Sequence, residues 1–295
     1  MLLARAGYKV LLVDKEIFPS DTINRHYLHQ PAVARLKDWD LFDSLRASDC
    51  PPIRTCTMDL GLSVLRGSLR PLDIVAEPYA PRRTVLDKIL VDAAVDAGAE
   101  LRDSFLVVDL TVDGARVTGI RGRTKTGSLV YEHARMVIGA DGQHSIVARL
   151  AKAAEYNVRP AYTCAYSSYW SGIPVQENEI YQRGDQMMGA YPTNDGLALV
   201  WIELPHSELR AFRTNIEKNF SHALRAVPQF ADKIQSGRRE ERFVGTAASR
   251  NFFRKPYGAG WALVGDAGYH KDPITAQGIA DAFRDAELVA EAIDG

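Results

Sequence analysis

Residues 261–278 read Trp-Ala-Leu-Val-Gly-Asp-Ala-Gly-Tyr-His-Lys-Asp-Pro-Ile-Thr-Ala-Gln-Gly, and this run constrains the fold more tightly than any other. Its apolar opening is a buried strand that delivers Gly265 and Asp266 to its carboxyl end, where open α/β sheets bind ligands. Pro273 stiffens the loop that follows. Thr275, Ala276, Gln277 and Gly278 then begin a helix whose unpaired N–H groups and dipole point back over the strand. Ile279, Ala282, Phe283, Ala286, Val289, Ala290 and Ile293 give that helix a core face. Asp266 by itself would pass for a cap in an ordinary strand–turn–helix. Strand, acid, rigid loop and helix start in combination point to a ligand site.

The amino end shows part of a related pattern. Leu2, Leu3 and Ala6 fit a helix that Gly7 stops, and Lys9 to Val13 is a continuous apolar strand ending in Asp14. Helix, glycine, strand and acid form the second half of a βαβ dinucleotide-binding unit, in which the acid accepts hydrogen bonds from a ribose. The first half would be a strand followed by Gly-x-Gly-x-x-Gly. That pattern is missing from the sequence: Gly258-Ala259-Gly260 lacks a third glycine and leads into a strand. The expectation is a chain that starts inside the opening helix, and the close on Glu291 to Gly295 suggests a second cut inside a helix.

Between these ends, Arg83 to Gly98 reads as a helix with a Thr84/Asp87 capping box. A three-stranded meander follows, over residues 105–112, 116–123 and 129–133, with turns at Asp113-Gly114 and Thr126-Gly127. Met136 to Ala140 is a buried strand closed by Asp141-Gly142. From about Asn157 to Lys255 the aromatic density rises. Tyr162, Tyr166 and Trp170 share one face of an alternating strand, residues 186–191 and 197–204 form a hairpin, and Ser207 to Val227 is helical up to Pro228. The chain therefore divides into a discontinuous cofactor domain (1–49, 81–156 and 257–295) and an interleaved substrate-side domain (50–80 and 157–256).

Composition narrows the function classes. A formal net charge of -1 offers no electrostatic attraction for nucleic acid or an anionic membrane. No apolar run is long enough to span a bilayer, and the first residues lack the flanks of a signal peptide, so a cytoplasmic protein is expected. The three cysteines, Cys50, Cys56 and Cys164, have no metal-type spacing and read as isolated thiols. No serine–histidine–acid set appears at usable spacing.

These motifs together resemble the para-hydroxybenzoate-hydroxylase-like FAD monooxygenases. Gly265-Asp266 through Gly278 looks like their second flavin-binding motif. Gly139-Ala-Asp-Gly-Gln-His-Ser145 is similar to their Asp-Gly motif, which touches both FAD and the pyridine nucleotide. Arg83-Thr-Val-Leu86 resembles their arginine helix. The resemblance implies an α/β, Rossmann-like FAD/NAD(P)-binding fold with an interleaved domain of mixed β-sheet plus helices. It assigns a ribityl hydroxyl to Asp266 and the pyrimidine edge of the flavin to Thr275, Ala276, Gln277 and Gly278, with Gly265 and Pro273 shaping the same loop. It assigns the pyrophosphate region to Arg83, with Arg82 as competitor, and the pyrophosphate and nicotinamide side to Asp141. Asp14 falls to the adenosine ribose and Val107 to backbone contacts with adenine. Where the family carries a histidine, this chain has Tyr269, with His270 one place later; His270 reads as a surface-loop residue.

The implied activity is that of an NAD(P)H-dependent monooxygenase. NADPH or NADH reduces FAD, molecular oxygen is captured as a flavin hydroperoxide, and its distal oxygen hydroxylates or epoxidises an aromatic or apolar small molecule. A helix start aimed at a ring that becomes anionic on reduction would stabilise that charge. No catalytic residue and no metal ligand is assigned. The face of Tyr162, Tyr166 and Trp170 either lines the substrate pocket or packs between sheet and helix, with packing preferred. Three alternatives stand: a flavin-dependent reductase of the geranylgeranyl-reductase kind, a flavin halogenase, and a non-catalytic truncated remnant that does not retain FAD.

Overall fold

The computed structural model describes residues 1–20, 26–72, 75, 77–246 and 250–295. The elements follow the sequence pattern closely at the cofactor side. Leu2–Arg5 is a short helix, and Gly7 takes φ +87°, the left-handed conformation that ends such a helix without a Cβ clash. Leu11–Val13 pairs in parallel with Glu100–Arg102. Val137–Gly139 pairs in parallel with Trp261–Leu263, which places the turns at Asp141 and Asp266 side by side. The meander forms as expected over Leu106–Asp113, Arg116–Arg123 and Leu129–His133.

The helix Arg83–Asp96 forms, but its start differs from the expected capping box. Its N-cap is Arg82, and no side chain caps it. Asp87 instead accepts two hydrogen bonds from Arg83, at 2.9 Å from both Nε and Nη2. Two ion-paired bonds to a guanidinium outweigh a single carboxylate bond to a backbone N–H, so the acid turns toward the arginine. This helix packs with Gln30–Asp38, Phe42–Arg46 and Gly278–Asp294 around Leu28, Val33, Leu36, Leu45, Leu86 and Phe283.

The substrate-side region is built on an eight-stranded sheet. Its spine runs in the order Arg238–Arg239, Thr163–Ser171, Ala198–Pro205, Gln186–Pro192, Asn178–Arg183, Thr55–Asp59, Val64–Ser68, and Val244–Thr246 also pairs with Thr163–Ser171. One face carries Tyr166, Trp170, Met188 and Ile202 and is covered by three helices, Leu209–Arg213, Ile216–Leu224 and Pro228–Gln235. Tyr166 stacks on Phe212 at 4.7 Å and Trp170 on Phe220 at 5.7 Å. Phe220 and Phe230 are fully buried, each worth roughly 2–3 kcal/mol of apolar transfer.

Two expectations are corrected in this layer. Residues 207–227 are broken at Thr214 and Asn215, where Asn215 caps a new helix through the N–H of Lys218. Pro228 starts the last helix rather than stopping one, since the first helical position has no intrahelical use for the N–H that proline lacks. Tyr166 and Trp170 are packing residues under these helices, and Tyr162 precedes the strand and is 54% exposed.

A small antiparallel sheet joins Tyr269–His270, Asn251–Arg254 and Glu155–Arg159. It straddles the expected domain boundaries near residues 157 and 256. Cys50, Cys56 and Cys164 are all free thiols. Among the described residues, no helix is long and apolar enough to cross a membrane.

Candidate functional site

The loop after Trp261–Leu263 is held from both sides. Gly265 adopts φ +56°, and its N–H donates to Asp285 Oδ2 at 3.0 Å, on the carboxyl-terminal helix. A Cβ at Gly265 would stand 3.0 Å from that of Ala282, so strand and helix approach as closely as glycine permits. On the other side Arg254 donates from Nη1 to the Ala267 carbonyl at 3.0 Å and from Nη2 to the Gln143 carbonyl at 3.2 Å. Arg254 thus bolts the Asp266 turn to the Asp141 turn. It lies outside every motif in the sequence, so pattern reading had no means of finding it.

Asp266 stands between charges of both signs. Burial pushes its carboxyl above the ordinary aspartate range, and the neighbouring Asp281 carboxylate adds to this. His270, Lys271 and Arg83 oppose the rise. Arg83, on a helix far away in sequence, is thereby brought within electrostatic reach of Asp266. His270 is buried rather than a surface-loop residue; its Nδ1 lies 3.1 Å from the Arg250 carbonyl and its Nε2 lies 3.9 Å from Asp266 Oδ2. Residue 270 faces inward because Tyr269 and His270 form a strand beside Asn251–Arg254, which alternates their faces.

The helix start differs in detail from its sequence reading. Pro273–Thr275 is a 3₁₀ turn capped by Asp272 through the N–H of Ile274, and Ala276 is left-handed at φ 52°, ψ 33°. The α-helix begins at Gly278 and runs to Asp294, with no side-chain cap from Gln277. The Thr275 carbonyl is taken by His29 Nε2 at 2.8 Å. The leading N–H groups at Gly278, Ile279 and Ala280 have no intrahelical acceptor, and the space where a Gly278 side chain would sit is open. This donor set fits the carbonyl-rich, anion-forming edge of a flavin, and the Asp266 carboxyl fits a ribityl hydroxyl.

Ala276 also meets the second face of the eight-stranded sheet. There Tyr169, Tyr191, Leu199 and Trp201 cluster with Tyr27, Ile53 and Ala80. His26, 1% exposed, hydrogen-bonds the Tyr169 hydroxyl through Nε2 at 2.7 Å, and burial lowers its pKa to about 3. Arg82 lies 4.5 Å over the Tyr169 ring and pairs with Glu241 at 2.5 Å. The two competing arginines therefore have different partners, Arg82 the Tyr169 ring and Glu241, Arg83 the Asp87 carboxylate. The aromatic wall was missed because both faces of the strand Thr163–Ser171 are aromatic, and alternation does not say which one meets helices.

The remaining candidates spread outward. Asp14 follows Leu11–Val13; its Oδ1 accepts the Glu16 N–H at 2.8 Å and its carbonyl accepts the Phe105 N–H at 2.8 Å. Val107 lies two residues beyond Phe105 on the first meander strand, so Asp14 and Val107 are near neighbours. Asp141 Oδ2 accepts the N–H groups of Ile146 and Val147 at 2.6 and 3.2 Å, and Ser145 caps the same short helix. Its carboxylate is thus engaged in holding that helix.

The structure resembles solved flavoproteins along its whole length. It superposes on the myxobacterial chondrochloren halogenase CndH with a TM-score of 0.89 at 22% identity, covering 99% of this chain and 70% of that one. PqsL from Pseudomonas aeruginosa, a probable FAD-dependent monooxygenase, gives 0.80 at 17% identity, covering 99% of this chain and 81% of that one. Among curated proteins, digeranylgeranylglycerophospholipid reductase of Methanocella arvoryzae is 28% identical over 73% of this chain and 54% of its own length. Tryptophan 2-halogenase of Chondromyces crocatus is 23% identical over 99% of this chain and 58% of its own length. The chain thus spans little more than half of the curated relatives it matches. Residues 1–293 match the family described as FAD binding domain, and the chain belongs to that family.

Proposed function

We propose that this chain is the flavin-binding core of an NAD(P)H-dependent monooxygenase that hydroxylates or epoxidises an aromatic or apolar small molecule. The supporting observation is the packing of Ala276 against the Tyr169, Tyr191 and Trp201 wall, which brings uncapped helix donors and an apolar surface together. Bound FAD would supply hydride acceptance and the activation of molecular oxygen. The chain supplies the rest. The N–H groups of Gly278, Ile279 and Ala280 hold negative charge at the pyrimidine edge, with Pro273, Thr275, Ala276 and Gln277 setting their direction. Asp266, in the turn set by Gly265, accepts a ribityl hydroxyl. Arg83 and Asp141 serve the pyrophosphate side, and Asp14 and Val107 serve the adenosine. The aromatic wall excludes water from the reacting edge.

Aerobic NADPH oxidation stimulated by an aromatic substrate, with one atom of labelled oxygen in the product, is the test. Oxidation with no labelled oxygen in any product would overturn the monooxygenase reading. A second reading is a double-bond reductase acting on an isoprenoid chain, favoured by the 28% identity to the Methanocella reductase. Its mark is substrate reduction that proceeds without oxygen.

A further inference from the structure

Where the strand Ala198–Pro205 runs into the helix Leu209–Arg213, the surface opens into a cleft of about 360 Å³ lined by His206, Ser207, Leu209, Arg210 and Arg213. The lining is basic and contains no acid. Among the described residues, the Arg210 and Arg213 side chains have neither a hydrogen-bond nor an ion-pair partner, and neither does the His206 ring. The acids of the same stretch are engaged elsewhere. Glu203 is buried and accepts the Thr163 hydroxyl at 2.7 Å, Glu208 accepts from Gln186 at 3.3 Å, and Glu217 is held by Arg239 at 2.6 Å. Cys164, close enough to feel Arg213, offers no counter-charge, because burial pushes its thiol up to about 11. The backbone of the cleft is fixed on both sides. Phe212 is buried and stacks on Tyr166 at 4.7 Å, and Asn219 donates to the carbonyls of Ala211 and Phe212 at 3.1 and 3.0 Å. The His206 N–H donates to the Tyr162 carbonyl at 2.8 Å. Arg210 and Arg213 themselves stay exposed.

Arg210 and Arg213 are three residues apart, the spacing that makes two side chains neighbours on a helix. Two like charges with no acid between them repel, and an anion shared by both removes that repulsion. The lining narrows the class of anion. Two permanent charges match a phosphate dianion better than a single carboxylate, and planar guanidinium forks meet phosphate oxygens two at a time. Ser207 adds a hydroxyl donor, and Leu209 offers apolar surface to an organic body. The volume lies at the low end of the roughly 300–1,000 Å³ range of small-molecule sites, more than a bare phosphate fills. We propose that the His206–Arg213 cleft binds a small phosphate monoester, with Arg210 and Arg213 as paired anchors for its phosphate. The site does not depend on the flavin-site reading, since none of its residues belongs to the Gly265–Gly278 loop or to the aromatic wall.

The test is calorimetric titration of phenyl phosphate into the full chain, with and without added FAD. Wild type, Arg210→Gln, Arg213→Gln, the double variant, Arg213→Lys and Arg225→Gln are compared, with thermal melts as a check on folding. Arg225 is an exposed arginine outside the cleft and serves as the charge control. Wild type is expected to bind, with affinity falling as salt is raised. Either glutamine variant should weaken binding roughly tenfold. Arg213→Lys, which keeps the charge and loses the fork, should weaken it less, and Arg225→Gln should leave it unchanged. A wild type that binds no phenyl phosphate, or a folded double variant with unchanged affinity, would overturn the site. An equal loss in Arg225→Gln would also overturn it, because net charge alone would then explain the binding. Binding that vanishes when FAD is added places the phosphate in the flavin site and rejects the cleft. Phosphatidylglycerol vesicles that bind wild type in preference to phenyl phosphate would overturn the small-molecule class.

Discussion

His270 Nε2 stands 3.9 Å from Asp266 Oδ2, across the turn that separates them by four residues. The imidazole is the first of the groups opposing the burial that raises the Asp266 carboxyl. A carboxyl raised on folding contributes stability that is present below its unfolded pKa and lost as pH rises through the folded one. Asp266→Asn is therefore expected to be at least as stable as wild type at pH 7, with the difference closing below pH 4. The same variant should retain FAD more weakly. Thermal melts across pH check the first part and flavin absorbance the second.

His26 gives the opposite sign. Its pKa is lowered to about 3 by burial, so it folds neutral. Stability from a depressed histidine is present above the unfolded value near 6.5 and lost as pH falls toward the folded one. Between those limits the loss approaches about 1.4 kcal/mol per pH unit. Urea titrations of His26→Gln should show a flatter acid limb than wild type. An identical acid limb would contradict the assignment.

Arg254 joins the Ala267 and Gln143 carbonyls and the Glu155 carboxylate. Arg254→Met keeps much of the stem but removes every donor. Hydrogen bonds to a charged group of this kind are worth roughly 1.5–3 kcal/mol, and a destabilisation of about that size is expected in urea. FAD should also dissociate more readily, because the two turns are no longer tied.

Gly265→Ala forces a side chain onto a left-handed residue, at about 1–2 kcal/mol, and against Ala282 at 3.0 Å. The turn must shift away from the carboxyl-terminal helix. A colourless protein with a lowered melting temperature is expected; normal flavin bands after gel filtration would show that the turn tolerates the change.

What the sequence determined was local. The periodicity of residues 105–133 specified the meander, and the Trp261–Gly278 run specified strand, turn and helix, because each depends on neighbours a few residues apart. Even there Ala276 was read as helical, although it is left-handed and delays the helix to Gly278. Tertiary structure decided the rest. Which aromatic face of Thr163–Ser171 meets helices, and which meets Ala276, is set by residues 209–235 closing over one side. The partnership of His26 with Tyr169, 143 residues apart, and the bolt from Arg254 to Gln143 have no trace in any local pattern. Hydrogen bonding and charge act through space at a few ångströms, and only the folded chain says which distant residues come that close.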